Sequence, residues 1–208
     1  DSTVARNYDF RNLRVLVVDD SQFMIRVVSN ILEALGIGSV FSATSGRDGF
    51  EAACRYNPDI VVFLDGDFSD YPEEIVKLVE PIESGEMDFV LGSRMILPES
   101  RSALLPQSRY GNQLAVFLMR LFFKHQFTDL GPFRAIRYES LKAIAMQDTN
   151  FGWTVEMQIK AVKKGLRILE IPVKYRERVG VSKITGTFSG TIKAGTKIIY
   201  TIFKYLLI

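Results

Sequence analysis

The chain has 208 residues, of which 47% are hydrophobic and 24% are charged, and this composition excludes disordered and collagen-like classes. Its length suits one sizeable α/β body and is short for two ordinary domains. The single Cys54 excludes an internal disulfide, and the single His125 excludes a histidine-rich metal site. Any bound metal is therefore expected to have oxygen ligands.

Charge is distributed unevenly along the chain. Residues 1–60 carry 6 basic and 8 acidic side chains, residues 61–119 carry 4 and 10, and residues 120–208 carry 16 and 6. An acidic middle suits a cation, and a basic C-terminal part suits phosphates or an anionic membrane surface. Solvated helix faces are the alternative explanation for the individual lysines. No nucleic-acid partner is expected.

Two apolar stretches bear on membrane contact. No stretch reaches the roughly 18 continuous apolar residues of a spanning helix, and no secretion signal is recognisable. Residues 114–123 and 198–208 come nearest, and each is compatible with a core helix or with a helix lying on a membrane. We expect a cytoplasmic protein, peripheral at the inner face of the membrane.

Strand and helix patterns alternate in the first part of the chain. The order is strand 13–18, helix 21–36, strand 39–43, helix 47–56 and strand 60–64. The first strand ends at Asp19 and Asp20, and the third ends at Asp65 and Asp67. The alternation predicts an open, mostly parallel sheet, in which ligands bind at the carboxyl ends of the strands.

The second part of the chain continues with mixed elements. The predictions are a helix from 71, strand 89–91, helix 110–124, loop 128–132, helices 138–145 and 155–164, strand 167–175 and mobile loop 179–190.

The triplet Asp65-Gly66-Asp67 is the candidate metal site. Glycine between two carboxylates lets both approach one cation while the backbone stays clear of a bulky diphosphate. Such a cation would bridge the phosphates of a nucleotide sugar and stabilise charge on the leaving group. An isolated Asp-Gly-Asp is commonly an ordinary turn, so the assignment depends on the surrounding sequence.

From about residue 59 onward the chain resembles glycosyltransferase family 2, especially its dolichyl-phosphate or polyprenyl-phosphate sugar transferases. The resemblance begins with DIVVFLDGDFSDYPEEI at 59–75 and DFVLGSR at 88–94. It continues in the family's order with TDLGPFRAIR at 128–137, FGWTVEMQ at 151–158, EIPVKYRER at 170–178 and GVSKITG at 180–186.

This resemblance implies a GT-A (Rossmann-like) fold and an inverting transfer of sugar from a UDP- or GDP-sugar to a polyprenyl or dolichyl phosphate. It also implies Mg²⁺ or Mn²⁺ held through Asp65 and Asp67, which makes Asp67 a catalytic residue as well. Asp129 is the candidate for a base or an acceptor-positioning group. An N-cap or a partner for Arg134 is the alternative role of Asp129.

The same resemblance assigns substrate-binding residues. The basic residues that resemble the family's phosphate-gripping side chains are Arg94, Arg176, Arg178 and Lys183. Glu156, beside Trp153, is expected either to orient the acceptor or simply to pack the start of a helix.

Residues 1–58 depart from the family, because an opening strand with a Pro-x-x-Asn-Glu-like turn is missing. They resemble a response-regulator receiver domain through LVVDDSQFM at 16–24 and GRDGFEAA at 46–53. A receiver-like N-terminal βαβαβ portion, 1–58, would then join a family 2-like portion, 59–208, in one continuous body. The alternative functions are a phosphorylatable signalling module or an inactive fusion.

Asp19 and Asp20 have a different role in each of these interpretations. In the transferase they would lie near the nucleotide base as substrate-binding residues. In a receiver they would hold Mg²⁺ beside a phosphorylated Asp65, although the Ser or Thr and the Lys that complete a receiver site have no convincing match. A third role is capping of the following helix.

Overall fold

A six-stranded sheet lies at the centre of the computed structural model, which describes residues 10–19, 21–44, 46–65, 67, 69–177 and 188–207. The strands are β1 (Arg14–Val18), β2 (Ser39–Ala43), β3 (Ile60–Phe63), β4 (Phe89–Ser93), β5 (Arg134–Arg137) and β6 (Ile168–Pro172). The α-helices are α1 (Gln22–Ala34), α2 (Gly46–Tyr56), α3 (Ile75–Glu83), α4 (Pro98–Ala103), α5 (Pro106–Phe123), α6 (Tyr138–Ile144), α7 (Trp153–Lys163) and α8 (Phe188–Leu207). Two short 3-10 helices are Phe10–Asn12 and Pro72–Glu74.

The strand order is β2-β1-β3-β5-β4-β6. Strand β1 runs parallel to β2 and β3, and β4 runs parallel to β6, whereas β5 is antiparallel to both of its neighbours. All the described strands except β5 therefore end at the same edge of the sheet. The predicted mostly parallel α/β architecture is confirmed.

The sheet is continuous across the sequence position at which the two resemblances meet. Strand β1 pairs directly with β3, with Val15 opposite Ile60 and Leu16 opposite Val61. The side chain of Asp59 also accepts hydrogen bonds from Arg14 at the other end of the same strand pair. Strands from both sides of residue 58 are therefore neighbours in one sheet.

Alternate residues of β1 belong to two apolar cores on opposite faces of the sheet. Val15 and Val17 pack with α1 and α3, where Leu32 and Leu78 are 1% and 0% exposed. Leu16 packs in the other core, to which α2, α5, α6, α7 and α8 contribute. Burial on both faces explains why these strands are continuous apolar runs in the sequence.

Three parts of the structure differ from the predicted elements, and the first is helix α4, for which no element was predicted. Strand β5 was not predicted, because its four residues, RAIR, begin and end with Arg and lack an apolar run. The predicted mobile loop 179–190 is wrong at its end, since helix α8 already begins at Phe188, and residues 178–187 lie outside the described part of the chain.

Candidate functional site

The strand ends at the carboxyl edge of the sheet bring together most of the predicted site residues that the structure describes. Asp19 follows β1, Asp65 and Asp67 follow β3, Arg94 follows β4, and Arg176 lies shortly after β6. The predicted substrate-binding residues Asp20, Arg178 and Lys183 lie outside the described residues.

Hydrogen bonds within the turn after β3 hold the candidate metal site in shape. The backbone N–H of Asp65 donates to Asp70 Oδ2 at 3.0 Å, and the N–H of Ser69 donates to Asp67 Oδ1 at 3.0 Å. Asp65 and Asp67 are both partly exposed, whereas Ser69 and Asp70 are 0% and 1% exposed. The turn therefore presents two carboxylates over a buried polar floor.

The environment of this floor disfavours the charged form of the Asp70 carboxyl. Burial, together with the nearby charges of Asp65 and Asp67, raises the pKa of Asp70 to about 7 against the partial compensation of Arg94. Ser69 Oγ and Asp70 Oδ1 also lack a hydrogen-bond partner among the described residues. Buried oxygens without partners beside carboxylates fit a hard cation with oxygen ligands.

In the described part of the chain, no group of three or more His, Cys, Asp or Glu side chains is arranged to hold a metal ion. Asp65 and Asp67 are the two carboxylates that could hold a cation at this turn. The other positions would be left to water and to phosphate oxygens, which is how Mg²⁺ commonly binds beside substrate phosphates.

Asp129 lies 1% exposed in the loop before β5, and Arg94 is its partner. Asp129 Oδ2 accepts from the backbone N–H of Arg94 at 2.9 Å and from its Nε at 2.7 Å, and Asp129 Oδ1 accepts from Nη2 at 2.9 Å. Burial alone would raise the pKa of Asp129, but the charge and hydrogen bonds of Arg94 outweigh it and lower the pKa. A carboxylate held this way is a weak base and a well-fixed positioning group.

The backbone of the Asp129 loop is held by hydrogen bonds from β6 and from α5. Glu170 of β6 accepts from the backbone N–H groups of Thr128 and Asp129. Asn112 of α5 donates to Thr128 O at 2.9 Å and accepts from the N–H of Leu130 at 2.8 Å. A Cβ at Gly131 would lie 3.0 Å from both Arg94 Nε and Asp129 Oδ2, so a side chain there would crowd this pair.

Arg134, the alternative partner for Asp129, is bonded elsewhere. Its guanidinium is 0% exposed, donates to the carbonyls of Gly131 and Thr154, and lies over the Trp153 ring at 5.1 Å. Burial lowers the pKa of Arg134 to about 9, although the charge of Asp129 raises it in part. Arg134 therefore joins the Asp129 loop to the start of α7.

Glu156 is surrounded by donors from the protein itself. It is 0% exposed and accepts from the N–H groups of Gln147 and Asp148, from Tyr205 Oη at 2.6 Å and from Lys160 Nζ at 2.7 Å. These bonds tie α8 to α7 and to the preceding loop. Of the two expected roles, this geometry favours packing of the helix start over orientation of an acceptor.

Arg176 is joined to the turn after β3. Its backbone N–H donates to Ser69 O at 3.1 Å, and its guanidinium lies over the Tyr71 ring at 4.6 Å. The preceding residue, Tyr175, forms an isolated antiparallel bridge with Asp70 and stacks beneath Arg94 at 5.2 Å. The segment after β6 therefore contacts both the turn after β3 and Arg94 of the Arg94–Asp129 pair.

Asp19 has a local structural role at the end of β1. Its Oδ1 accepts from the N–H of Ser21 at 2.7 Å, and Ser21 Oγ in turn accepts from the N–H of Met24 as the N-cap of α1. Ser21 is thus the N-cap of α1, and Asp19 supports the same turn while it lies at the carboxyl edge.

Sequence reasoning missed three residues of this site: Asp70, Glu170 and Asn112. Asp70 and Glu170 lie inside the family-like blocks at 59–75 and 170–178, and that position was the available signal for them. No sequence pattern indicated Asn112, because its side chain gains a role only when α5 packs against the loop that contains Asp129.

The fold is that of the GT-A glycosyltransferases. A crystal structure of glucosyl-3-phosphoglycerate synthase from Mycobacterium tuberculosis, in complex with Mn²⁺, uridine diphosphate and phosphoglyceric acid, superposes with a TM-score of 0.64. The two proteins are 15% identical, and the match covers 94% of this chain and 79% of that chain. Identity this low shows the fold alone.

The chain belongs to glycosyl transferase family 2, whose model matches residues 2–145. Undecaprenyl-phosphate mannosyltransferase from Micrococcus luteus is 31% identical over 161 residues, which are 74% of this chain and 63% of that protein. Polyprenol monophosphomannose synthase from Mycolicibacterium smegmatis is 28% identical over 163 residues, 73% of this chain and 57% of that protein. The chain thus spans about three fifths of the length of these relatives.

The family match includes the segment that resembles a receiver domain. The match covers residues 2–145, so it includes nearly all of residues 1–58. This match does not identify a receiver domain in residues 1–58, and the division of the chain at residue 58 stays a prediction. Among the helices of the described residues, none is long and apolar enough to cross a membrane.

Proposed function

We propose that this chain carries the nucleotide-sugar and cation site of a glycosyltransferase that moves a sugar, with inversion, from a UDP- or GDP-sugar to a polyprenyl or dolichyl phosphate. The observation that carries the proposal is the placement of Asp65 and Asp67 beside the Arg94–Asp129 pair in a family 2 chain. The two relatives described above are named for transfer to, or synthesis on, polyprenyl phosphates.

Asp65 and Asp67 would hold a divalent cation, Mg²⁺ or Mn²⁺, in this proposal. The glucosyl-3-phosphoglycerate synthase of the same fold was crystallised with Mn²⁺ and uridine diphosphate, which supports a cation and a nucleotide diphosphate as ligands. When bound, the cation supplies Lewis-acid stabilisation of the diphosphate leaving group. Asp70 and Ser69 form the buried floor, in which Asp70 accepts from the backbone N–H of Asp65 and the N–H of Ser69 donates to the Asp67 carboxylate.

The basic side chains would hold phosphate groups at this edge. Arg94 keeps its charge, because Asp129 raises its pKa, and its bidentate pairing fixes the direction of its remaining donors. Arg176 lies beside the turn after β3, and Arg178 and Lys183 follow it in the sequence. Together these four side chains would attract both the diphosphate and the lipid phosphate.

Asp129 would position the acceptor rather than remove a proton. A lipid phosphate already carries an anionic oxygen, so the nucleophile needs little help from a base. The lowered pKa of Asp129 and its bonds to Arg94 support this role. Asp19 and Asp20 would lie near the nucleotide base, and Glu156 would act through the packing of α7 and α8.

The proposal also assigns roles to the two portions of the chain and a location in the cell. Residues 1–58 would supply the strands beneath the nucleotide, and residues 59–208 would supply the cation and acceptor groups. The basic C-terminal part, with 16 basic and 6 acidic side chains in residues 120–208, supports a peripheral position at the inner face of the membrane.

Calorimetric titration with UDP and GDP in the presence of Mn²⁺ tests the site. We expect one of the two nucleotides to bind, and Asp67→Asn to weaken that binding about tenfold or more, equivalent to about 1.4 kcal/mol. Asp59→Asn is the matched control, because Asp59 lies at the opposite end of the same strand and pairs with Arg14.

The outcomes separate the parts of the proposal. Binding of neither nucleotide would overturn it, and equal binding by wild type and Asp67→Asn would remove the cation site. Sugar transfer is measured separately, by incubating the protein with a radiolabelled nucleotide sugar and undecaprenyl phosphate and extracting the lipid. Nucleotide binding without transfer would indicate the inactive alternative.

A further inference from the structure

Helices α5 and α8 each expose a stripe of large apolar side chains. Nine of the fifteen exposed large hydrophobic residues among the described residues lie on these two helices: Tyr110, Leu114, Phe117, Leu121, Ile192, Tyr200, Phe203, Leu206 and Leu207. The residues on α5 recur at intervals of four, three and four, which places them on one side of the helix. Scattered exposed apolar residues are ordinary, but such a concentration marks an interaction surface.

The two stripes lie side by side, because α5 and α8 pack against each other. The rings of Phe122 on α5 and Phe203 on α8 contact one another with centroids 5.5 Å apart. The opposite sides of the helices are buried in the core, where Met119 and Ile202 are each 0% exposed. We call the exposed stripes of the two helices, together, the α5/α8 face.

The charges on these helices are all of one sign. Neither helix contains Asp or Glu, and the basic residues on them are Arg109, Arg120, Lys193, Lys197 and Lys204. A helix with an apolar stripe flanked by Lys and Arg lies in the interface of an anionic membrane, with its apolar side chains at the level of the upper acyl chains. The cations then contact lipid phosphates.

We propose that the α5/α8 face docks the protein in the plane of an anionic phospholipid bilayer, and this inference rests on the proposed function for the identity of the acceptor. The apolar stripes would enter the interface, and Arg109, Arg120, Lys193 and Lys204 would contact anionic headgroups, whereas Lys197 pairs with Asp148 at 2.9 Å. Charge complementarity favours an anionic membrane as the occupant. The two helices themselves carry only basic charges, so a second copy of the same face would repel the first.

The same helix connects this face with the candidate active site. Asn112, on the buried side of α5, holds the Thr128–Leu130 backbone through two hydrogen bonds of 2.9 and 2.8 Å. Leu114 and Phe117 lie on the outer side of the same helix. One helix diameter, about 10 Å, thus separates docked lipid from the loop that contains Asp129.

Vesicle flotation tests the docking surface directly. The wild type is mixed with vesicles of phosphatidylcholine and phosphatidylglycerol in equal parts, or of phosphatidylcholine alone. We expect binding to the anionic vesicles that weakens with added salt. Phe117→Glu and Leu207→Glu, at positions 59% and 87% exposed, are each expected to lower the partition coefficient about tenfold.

Phe23→Glu is the matched control, because Phe23 is 55% exposed and lies on α1, which packs on the other side of the sheet. It is expected to float like the wild type. Failure of the wild type to bind anionic vesicles, or an equal loss in Phe23→Glu, overturns the inference. Urea unfolding of each variant confirms that a loss of binding does not come from a loss of folding.

Two further measurements test whether a second copy of the chain covers the α5/α8 face, and which of the two proposals fails. If light scattering shows a wild-type dimer that Phe117→Glu converts to monomers, a second copy covers the face and the inference is overturned. Nucleotide titration of the wild type without lipid separates the two proposals. Nucleotide binding without vesicle binding refutes the docking surface alone, whereas vesicle binding without nucleotide binding refutes the proposed function alone.

Discussion

The buried Arg94–Asp129 pair provides the sharpest test of how the site is built. Asp129→Ala removes the carboxylate that accepts three hydrogen bonds from Arg94 and one from the N–H of Leu130, and it leaves Arg94 without its partner. The side chains of Asp129 and Arg94 are 1% and 14% exposed, so solvent screens little of this loss. Breaking a buried pair by removing one member costs about 3–5 kcal/mol of unfolding free energy.

An exposed pair of the same chemistry supplies the control. Arg14 and Asp59 are 3.1 Å apart, with side chains 41% and 39% exposed. Exposed pairs contribute about 0–1 kcal/mol, so Asp59→Ala should lower the unfolding free energy by no more than that amount. The difference between the two variants isolates the effect of burial.

The pH dependence follows from the lowered pKa of Asp129 in the folded protein. A carboxylate whose folded pKa lies below its unfolded value of about 3.9 stabilises the protein fully above that value, and the contribution is lost as the pH falls through the folded pKa. The stability difference between wild type and Asp129→Asn should therefore be constant above about pH 4 and narrow below it.

Urea unfolding followed by circular dichroism between pH 3 and 8 measures these differences. Wild type, both alanine variants and Asp129→Asn are compared at each pH. The reasoning would be refuted by an Asp129→Ala variant that loses no more stability than Asp59→Ala, or by a difference for Asp129→Asn that widens below about pH 4.

Three other measurements test separate contacts. Gly92→Ala should cost about 1–3 kcal/mol by urea unfolding, because the new Cβ would lie 2.8 Å from Val173 Cγ1, whereas Gly111→Ala, with open space around it, should not destabilise the protein. Tyr205→Phe should cost about 1.5–3 kcal/mol and raise hydrogen exchange in α8, because it removes the 2.6 Å bond to Glu156; unchanged exchange would contradict the fastening of α8. Addition of Mn²⁺ with the bound nucleotide at a hundredfold excess over its Kd should stabilise the protein by about 2.7 kcal/mol, and EDTA should abolish this gain in a thermal-shift assay.

The sequence was sufficient for features that depend on local patterns. Apolar runs of strand length identify β1 and β3, and each run ends in the carboxylates that the structure brings to one edge of the sheet. Ser21 and Gly36 mark the ends of α1 because capping and a positive φ, 84° at Gly36, depend on a few adjacent residues. The order of the family-like blocks indicated glycosyltransferase family 2 for the same reason.

Contacts between distant segments were beyond sequence reasoning. Strand β5 is a strand because β3 and β4 pair with it on both sides, and its own residues carry no apolar run. The partner of Asp129 is Arg94, 35 positions away, rather than the nearby Arg134, and Glu156 is enclosed by donors from α7, α8 and the preceding loop.

The turn after β3 also combines features that the sequence determines with features that the tertiary structure decides. The pair Asp65 and Asp67 was determined by the sequence, because a strand exit with two carboxylates around a glycine is a local pattern. The buried floor of Ser69 and Asp70 was decided by the tertiary structure, since the segment after β6, through Tyr175, closes over that turn. Burial depends on which segments pack together, and that is a property of the whole fold.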